Sequence, residues 1–98
     1  MNARELFNRR VIVTEQAFAE QVLWEVPEPV SGSKHSYKYR LAFVVEGNCV
    51  LRYDNEAGKG DHRHVRGKEV KYRFVSVDKP VTDFFEDARR MQIENSND

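Results

Sequence analysis

The residues best suited to chemistry in this 98-residue chain lie together, at Arg52-Tyr53-Asp54-Asn55-Glu56-Ala57-Gly58-Lys59-Gly60-Asp61-His62-Arg63-His64. These positions hold three carboxylates, three cations, two of the three histidines and two of the five glycines. A hairpin loop needs a turn residue or two and some polarity. This stretch also carries groups that transfer protons, face phosphate or bind metal. His62 and His64 are separated by one residue, so extended backbone puts both side chains on one side, their Cα atoms about 6.5–7 Å apart. Histidine titrates near neutral pH, and such a pair can act as base and acid.

RNA cleavage without a metal needs a base for the 2′-hydroxyl, an acid for the leaving oxygen and cations or donors for the charge on phosphorus. His62 and His64 supply the proton transfers in this reading, while Lys59, Arg63 and Arg52 face phosphate. Gly58 and Gly60 let backbone amides approach an oxyanion. Asp54 and Asp61 join them as catalytic candidates. A second reading is a metal site, with Asp61, His62, His64 and Asp54 as up to four ligands for zinc or manganese. Asp61 and His62 are neighbours, however, and point apart in an extended chain, so the expectation is metal-free chemistry with no cofactor. A third reading is architectural: Asp54-Asn55 bonds its own turn, the glycines adopt positive φ, and Asp61 pairs with Arg63 or Arg52. Lys59 between two glycines lacks the spacing and following helix of a nucleotide-binding loop.

The run Tyr53-Asp54-Asn55-Glu56-x-Gly58-Lys59-Gly60-Asp61-His62-Arg63-His64, preceded by Trp24-x-x-Pro27 and by Ser33-x-His35-x-Tyr37-Lys38-Tyr39-Arg40-Leu41, resembles the TumE-type toxin family of small bacterial proteins. The resemblance runs from about Val11 to Phe85. It implies the toxin of a two-gene toxin–antitoxin module, acting in the bacterial cytoplasm and neutralised by a helix-turn-helix antitoxin from a neighbouring gene. It brings no assigned active site, so the site residues rest on the chemistry above.

The length fits one domain, residues 1–98. A single cysteine, Cys49, leaves no intramolecular disulfide and fits a reducing cytoplasm. No run of about 18 apolar residues and no signal-peptide pattern is present, so no membrane association is expected. The zero net charge hides a segregation: residues 34–73 carry ten Lys/Arg against five Asp/Glu, with acidic excess on both sides. A basic middle can concentrate RNA, or simply face the acidic ends of its own chain.

The elements that must position these groups are legible as alternation. Residues 1–10 form an N-terminal segment of open role, read as one or two helical turns. An antiparallel sheet of four or five strands is expected over residues 11–76. It starts at Val11-Ile12-Val13, and a strand over Phe18–Val26 follows with Val22, Trp24 and Val26 inward. Next come His35–Glu46 with Tyr37, Tyr39, Leu41, Phe43 and Val45 on one face, then Cys49–Asp54, then Glu69–Val75 beyond a polar loop. The opposite face offers Lys38, Arg40, Arg52, Asp54, Lys71 and Arg73. Val81, Phe84, Phe85, Ala88 and Met91 are spaced as a helical stripe, so a helix over residues 78–93 covers the apolar face, with a polar tail at residues 94–98. The fold class is α+β, a sheet with a C-terminal helix on one face. The four tyrosines and Trp24 read as core, His35 as surface, and Cys49 as a small buried residue.

The favoured function is an RNA-cleaving toxin with RNA held on the basic sheet face. The alternative is a non-catalytic toxin or nucleic-acid-binding module acting through the same face.

Overall fold

The computed structural model describes residues 2–96. Six strands, β1 (Arg4–Thr14), β2 (Ala17–Glu25), β3 (Tyr37–Val45), β4 (Asn48–Glu56), β5 (Gly60–Val65) and β6 (Lys68–Lys71), precede one helix, α1 (Asp78–Ser96). The strands form one antiparallel meander in sequence order. Two tight turns follow hairpin chemistry, Glu46-Gly47 and Arg66-Gly67, each with both residues at positive φ.

The fold class is therefore α+β as expected, with six strands instead of four or five. The additional strands have identifiable origins. Residues 4–10 continue the expected Val11–Val13 strand, although their side chains show no apolar alternation. Their pairing with β2 is supported by Arg9 Nε donating to Gln21 Oε1 at 2.6 Å and by the Arg10–Glu20 and Arg4–Glu25 ion pairs. The expected polar loop after Asp54 is a hairpin, with β4 running through Glu56 and β5 starting at Gly60. The strand expected to reach Val75 ends at Lys71. The helix runs through Ser96 and so takes in part of the expected polar tail; Asn97 and Asp98 lie outside the described residues.

The helix seals one face because Phe84, Ala88 and Met91 recur at helical spacing and meet Leu41, Phe43, Leu51 and Tyr53 from the sheet. Phe85 was expected in the same stripe, but one residue further on turns it off the contact line, and it is 37% exposed while Phe84 is fully buried. Polar ties fix the helix to the sheet. Asp87 accepts from Tyr53 and from Arg63 Nη1, the latter at 2.9 Å, and Asp83 accepts from Tyr72 at 2.6 Å and Lys79 at 2.7 Å. Burial opposes the charge on Asp83, yet the Lys79 and Tyr72 bonds hold its carboxyl below the usual range.

Strand β2 faces opposite to expectation. Ala17, Ala19, Gln21 and Leu23 are its buried set, and Trp24, expected in the core, stands half-buried on the other face beside Lys38. Cys49 is exposed, not buried, near the β3–β4 turn. Tyr39 and Tyr53 are core residues as expected.

Candidate functional site

Because β4 and β5 form one hairpin, the residues of the polar stretch divide between its two faces. The register aligns Val22, Arg40, Asp54, His62 and Lys71 as one cross-strand row, and Glu20, Ala42, Arg52, His64 and Glu69 as the next. No helix or strand among the described residues covers this face. His62 and His64 thus point to the same side, with ring centroids 4.8 Å apart and planes at 73°, and Asp54 joins them.

At this centre His62 is 2% exposed and Asp54 7%. His62 Nε2 lies 2.8 Å from Asp54 Oδ1, and Arg52 Nε lies 3.0 Å from Asp54 Oδ2. Both distances are those of ion pairs, but neither contact has hydrogen-bond alignment, and Asp54 Oδ1, His62 Nε2 and His64 Nε2 are buried without a hydrogen-bond partner. The other nitrogen of His62, Nδ1, is 3.0 Å from the Gly60 carbonyl. A carbonyl only accepts, so Nδ1 carries a proton.

Two depressions flank the centre. One, of about 590 Å³, is lined by Val22, Trp24, Val26, Lys38, Arg40 and Asp54 among others. The second, of about 360 Å³, is lined by Lys59, His62, Glu69 and Lys71. Lys59 stands at the tip of the hairpin and is 3.7 Å from Glu69. Lys38, Arg40 and Lys71 form no ion pair among the described residues.

Asp61, Arg63 and Arg73 are not brought to this centre. Asp61 and Arg63 have the opposite parity and face the helix side, Arg63 against Asp87. Asp61 accepts from Ser33 Oγ at 2.6 Å, Tyr39 Oη at 2.7 Å and His35 Nε2 at 2.7 Å. Asn55 reinforces the tie, donating to the Tyr37 carbonyl and accepting from the Tyr39 amide. Gly60 packs so tightly on Gly32 that a Cβ there would meet the Gly32 carbonyl at 2.5 Å, and its φ is +75°. Together these contacts fasten the segment between β2 and β3 to the hairpin. Burial first, then the bond to Asp61, raises the Tyr39 hydroxyl pKa well above its usual range. Arg73 follows β6 and is exposed, lining a third depression with His35, Asp61 and Phe74 that adjoins the one at His62 through Lys59 and Lys71. His35, expected at the surface, is stacked on Phe74 at 3.7 Å and bonded to Asp61.

Trp24 and Glu69 also border the candidate site, and nothing in their local sequence pattern marks them as part of it. Trp24 shares parity with Val22, and only the register against Lys38 and Arg40 reveals which face that is. Glu69 stands directly opposite His64 across the β5–β6 pair.

No curated protein and no solved structure gives a significant match to the chain. The family model described as Toxin TumE matches residues 3–92, nearly the whole chain, including every residue of the centre and of both depressions beside it. The chain therefore belongs to the TumE toxin family.

Proposed function

We propose that this toxin of a toxin–antitoxin module acts on RNA, binding it along the open sheet face and cleaving it at the Asp54–His62–His64 centre. The observation that carries this reading is the groove in which half-buried Trp24 lies beside Lys38 and Arg40 and which takes in Asp54. An aromatic ring beside cations is the arrangement that stacks an unpaired base while holding its phosphate. Arg52 and Lys71, on the neighbouring strands, extend the cationic track past the centre, and Lys59 adds a charge at the hairpin tip.

Phosphodiester cleavage needs proton transfer at two oxygens and an offset for charge on phosphorus. At the centre of this face Asp54, His62 and His64 can manage protons or water, Arg52 stands next to Asp54, and Glu69 lies 3.7 Å from His62 Nε2. The cognate antitoxin that membership in the family implies can neutralise the toxin by covering this face. A helix-turn-helix type for that antitoxin and a cytoplasmic site of action belong to the same proposal.

The test is cleavage of a labelled mixed RNA by purified protein, alongside growth inhibition on expression. Cleavage that falls at least about tenfold in a Lys38→Ala/Arg40→Ala variant, with folding unchanged, is the expected result. A preparation that inhibits growth but cleaves no RNA would instead establish a toxin that acts by occupying its target.

A further inference from the structure

We infer that Asp54, His62 and His64 bind one divalent first-row transition-metal ion on the open face of the sheet. The inference rests on the proposed role of this site and names the cofactor it would use. Three potential ligand atoms, one from each residue, converge so that all lie within 4.8 Å of one another. Ligands held by one ion at about 2.0–2.2 Å are separated by about 3–4 Å, so small side-chain rotations close the set.

The hydrogen bonding around His62 excludes a neutral imidazole that donates from Nε2 to Asp54. With Nδ1 donating to the Gly60 carbonyl, a neutral His62 ring presents the Nε2 lone pair to the Asp54 carboxylate, and two acceptors at 2.8 Å repel. Something positive must lie between them. A proton on Nε2 would satisfy Asp54 only along the N–H direction, and this contact is not so aligned. It would also leave His64 Nε2 buried and unpartnered, at the desolvation penalty of an unsatisfied polar atom. A metal ion resolves all three atoms at once, because ligands of one ion sit beside one another's lone-pair axes and not along them.

The surroundings have the form of a built metal site. Gly60 orients His62 through its second nitrogen, and the Arg52 guanidinium lies at ion-pair distance, 3.0 Å, from Oδ2 of Asp54, though without hydrogen-bond alignment. Two imidazoles with one carboxylate favour zinc, manganese or iron(II) over calcium or magnesium. The depression lined by Lys59, His62, Glu69 and Lys71 opens onto His62, so a coordination position can be reached by water or by a phosphate oxygen. Asp61 does not belong to the set, since it faces the other side.

The test uses tag-free protein stripped with chelator and titrated with Zn²⁺ or Mn²⁺ by calorimetry, with a parallel thermal melt and no RNA present. One ion per chain and a rise in Tm of at least about 5 °C are expected. Both should weaken at least about tenfold in His64→Ala and in Asp54→Asn and persist in Cys49→Ser, with folding verified by circular dichroism. Absence of binding, or binding unchanged in both variants, overturns the inference. A doubly protonated His62 ring in nitrogen NMR of the stripped protein, with no response to either ion, would place a proton where the ion is assigned. Binding is read without RNA, so an ion bound by a protein that cleaves nothing would sink the RNA reading alone. Chelator-resistant cleavage with no binding would sink only this inference.

Discussion

Asp61 and His62 are adjacent in sequence and lie on opposite faces of one hairpin, and the two histidine–aspartate contacts they anchor differ in one decisive respect. On the covered face, His35 Nδ1 accepts the Tyr37 amide at 3.2 Å, which leaves the proton on Nε2, where it donates to Asp61. That neutral ring meets its carboxylate with the right tautomer, and Ser33 and Tyr39 supply further donors. On the open face, the Gly60 carbonyl fixes a proton of His62 on the nitrogen away from Asp54, and Asp54 Oδ1, His62 Nε2 and His64 Nε2 are left buried and unpartnered. A satisfied network holds a fold together. An unsatisfied one, buried and convergent, points to a ligand. The same residue types thus build a satisfied network on one face and, on the other, the unsatisfied one at which we propose the chemistry, and backbone parity decides which.

The largest expected effect comes from removing the covered face altogether. Phe84→Ala should lose about 3–5 kcal/mol in denaturant unfolding, since the ring is fully buried between helix and sheet. A loss below about 1 kcal/mol would mean that the helix does not seal the core.

The comparison itself is broken or upheld by paired substitutions. Asp61→Ala leaves three donors without their acceptor and should destabilise by about 2–4 kcal/mol. Asp54→Asn relieves a clash of acceptors and should change stability by less than about 1 kcal/mol, while reducing RNA cleavage about 10²–10⁴-fold. The opposite ranking of the two in chemical denaturation would reverse the roles assigned to the faces.

Alkaline pH sharpens the picture of the covered face. Burial first, then hydrogen bonds to Asp61, Asp87 and Asp83 respectively, raises the hydroxyls of Tyr39, Tyr53 and Tyr72 above the ordinary value of 10.0. A group raised on folding contributes stability that is complete below its unfolded pKa and is lost as pH rises through the folded one. Stability should therefore hold up to about pH 10 and fall above it, with tyrosinate absorbance appearing together with unfolding. Tyrosinate formation in the folded state near pH 10 by Tyr39, Tyr53 and Tyr72 would contradict this. The smallest effect is expected at Cys49, which is exposed: Cys49→Ser should alter stability by no more than about 0.5 kcal/mol, and the native thiol should react readily with a thiol reagent.

The legible part of this molecule was that written in alternation and in helical spacing. Tyr39, Leu41 and Phe43 declare their face by period two, and Phe84, Ala88 and Met91 theirs by period three to four. His62 and His64 share a side for the same reason. Residues 4–10 are hard to read as strand because β1 is an exposed edge strand in which only Phe7 packs against the core, the rest of this stretch being held by backbone pairing and cross-strand polar contacts and showing no apolar alternation. Strand β2 was inverted because Ala17, Ala19 and Gln21 are a weak apolar signal beside Val22, Trp24 and Val26, and only register with β3 decides between the two sets. Phe85 shows the limit of a stripe drawn too wide. The burial of His35 depends on Asp61 and Phe74, distant in sequence, and no local pattern contains that pairing.

The most direct measurement is the rate of RNA cleavage, per folded molecule, for Asp54→Asn and Asp61→Asn beside the unaltered chain. An open-face centre predicts that Asp54→Asn loses at least about a hundredfold while Asp61→Asn cleaves in proportion to its folded fraction. Equal losses, or cleavage that survives intact in Asp54→Asn, would contradict the assignment of chemistry to the open face.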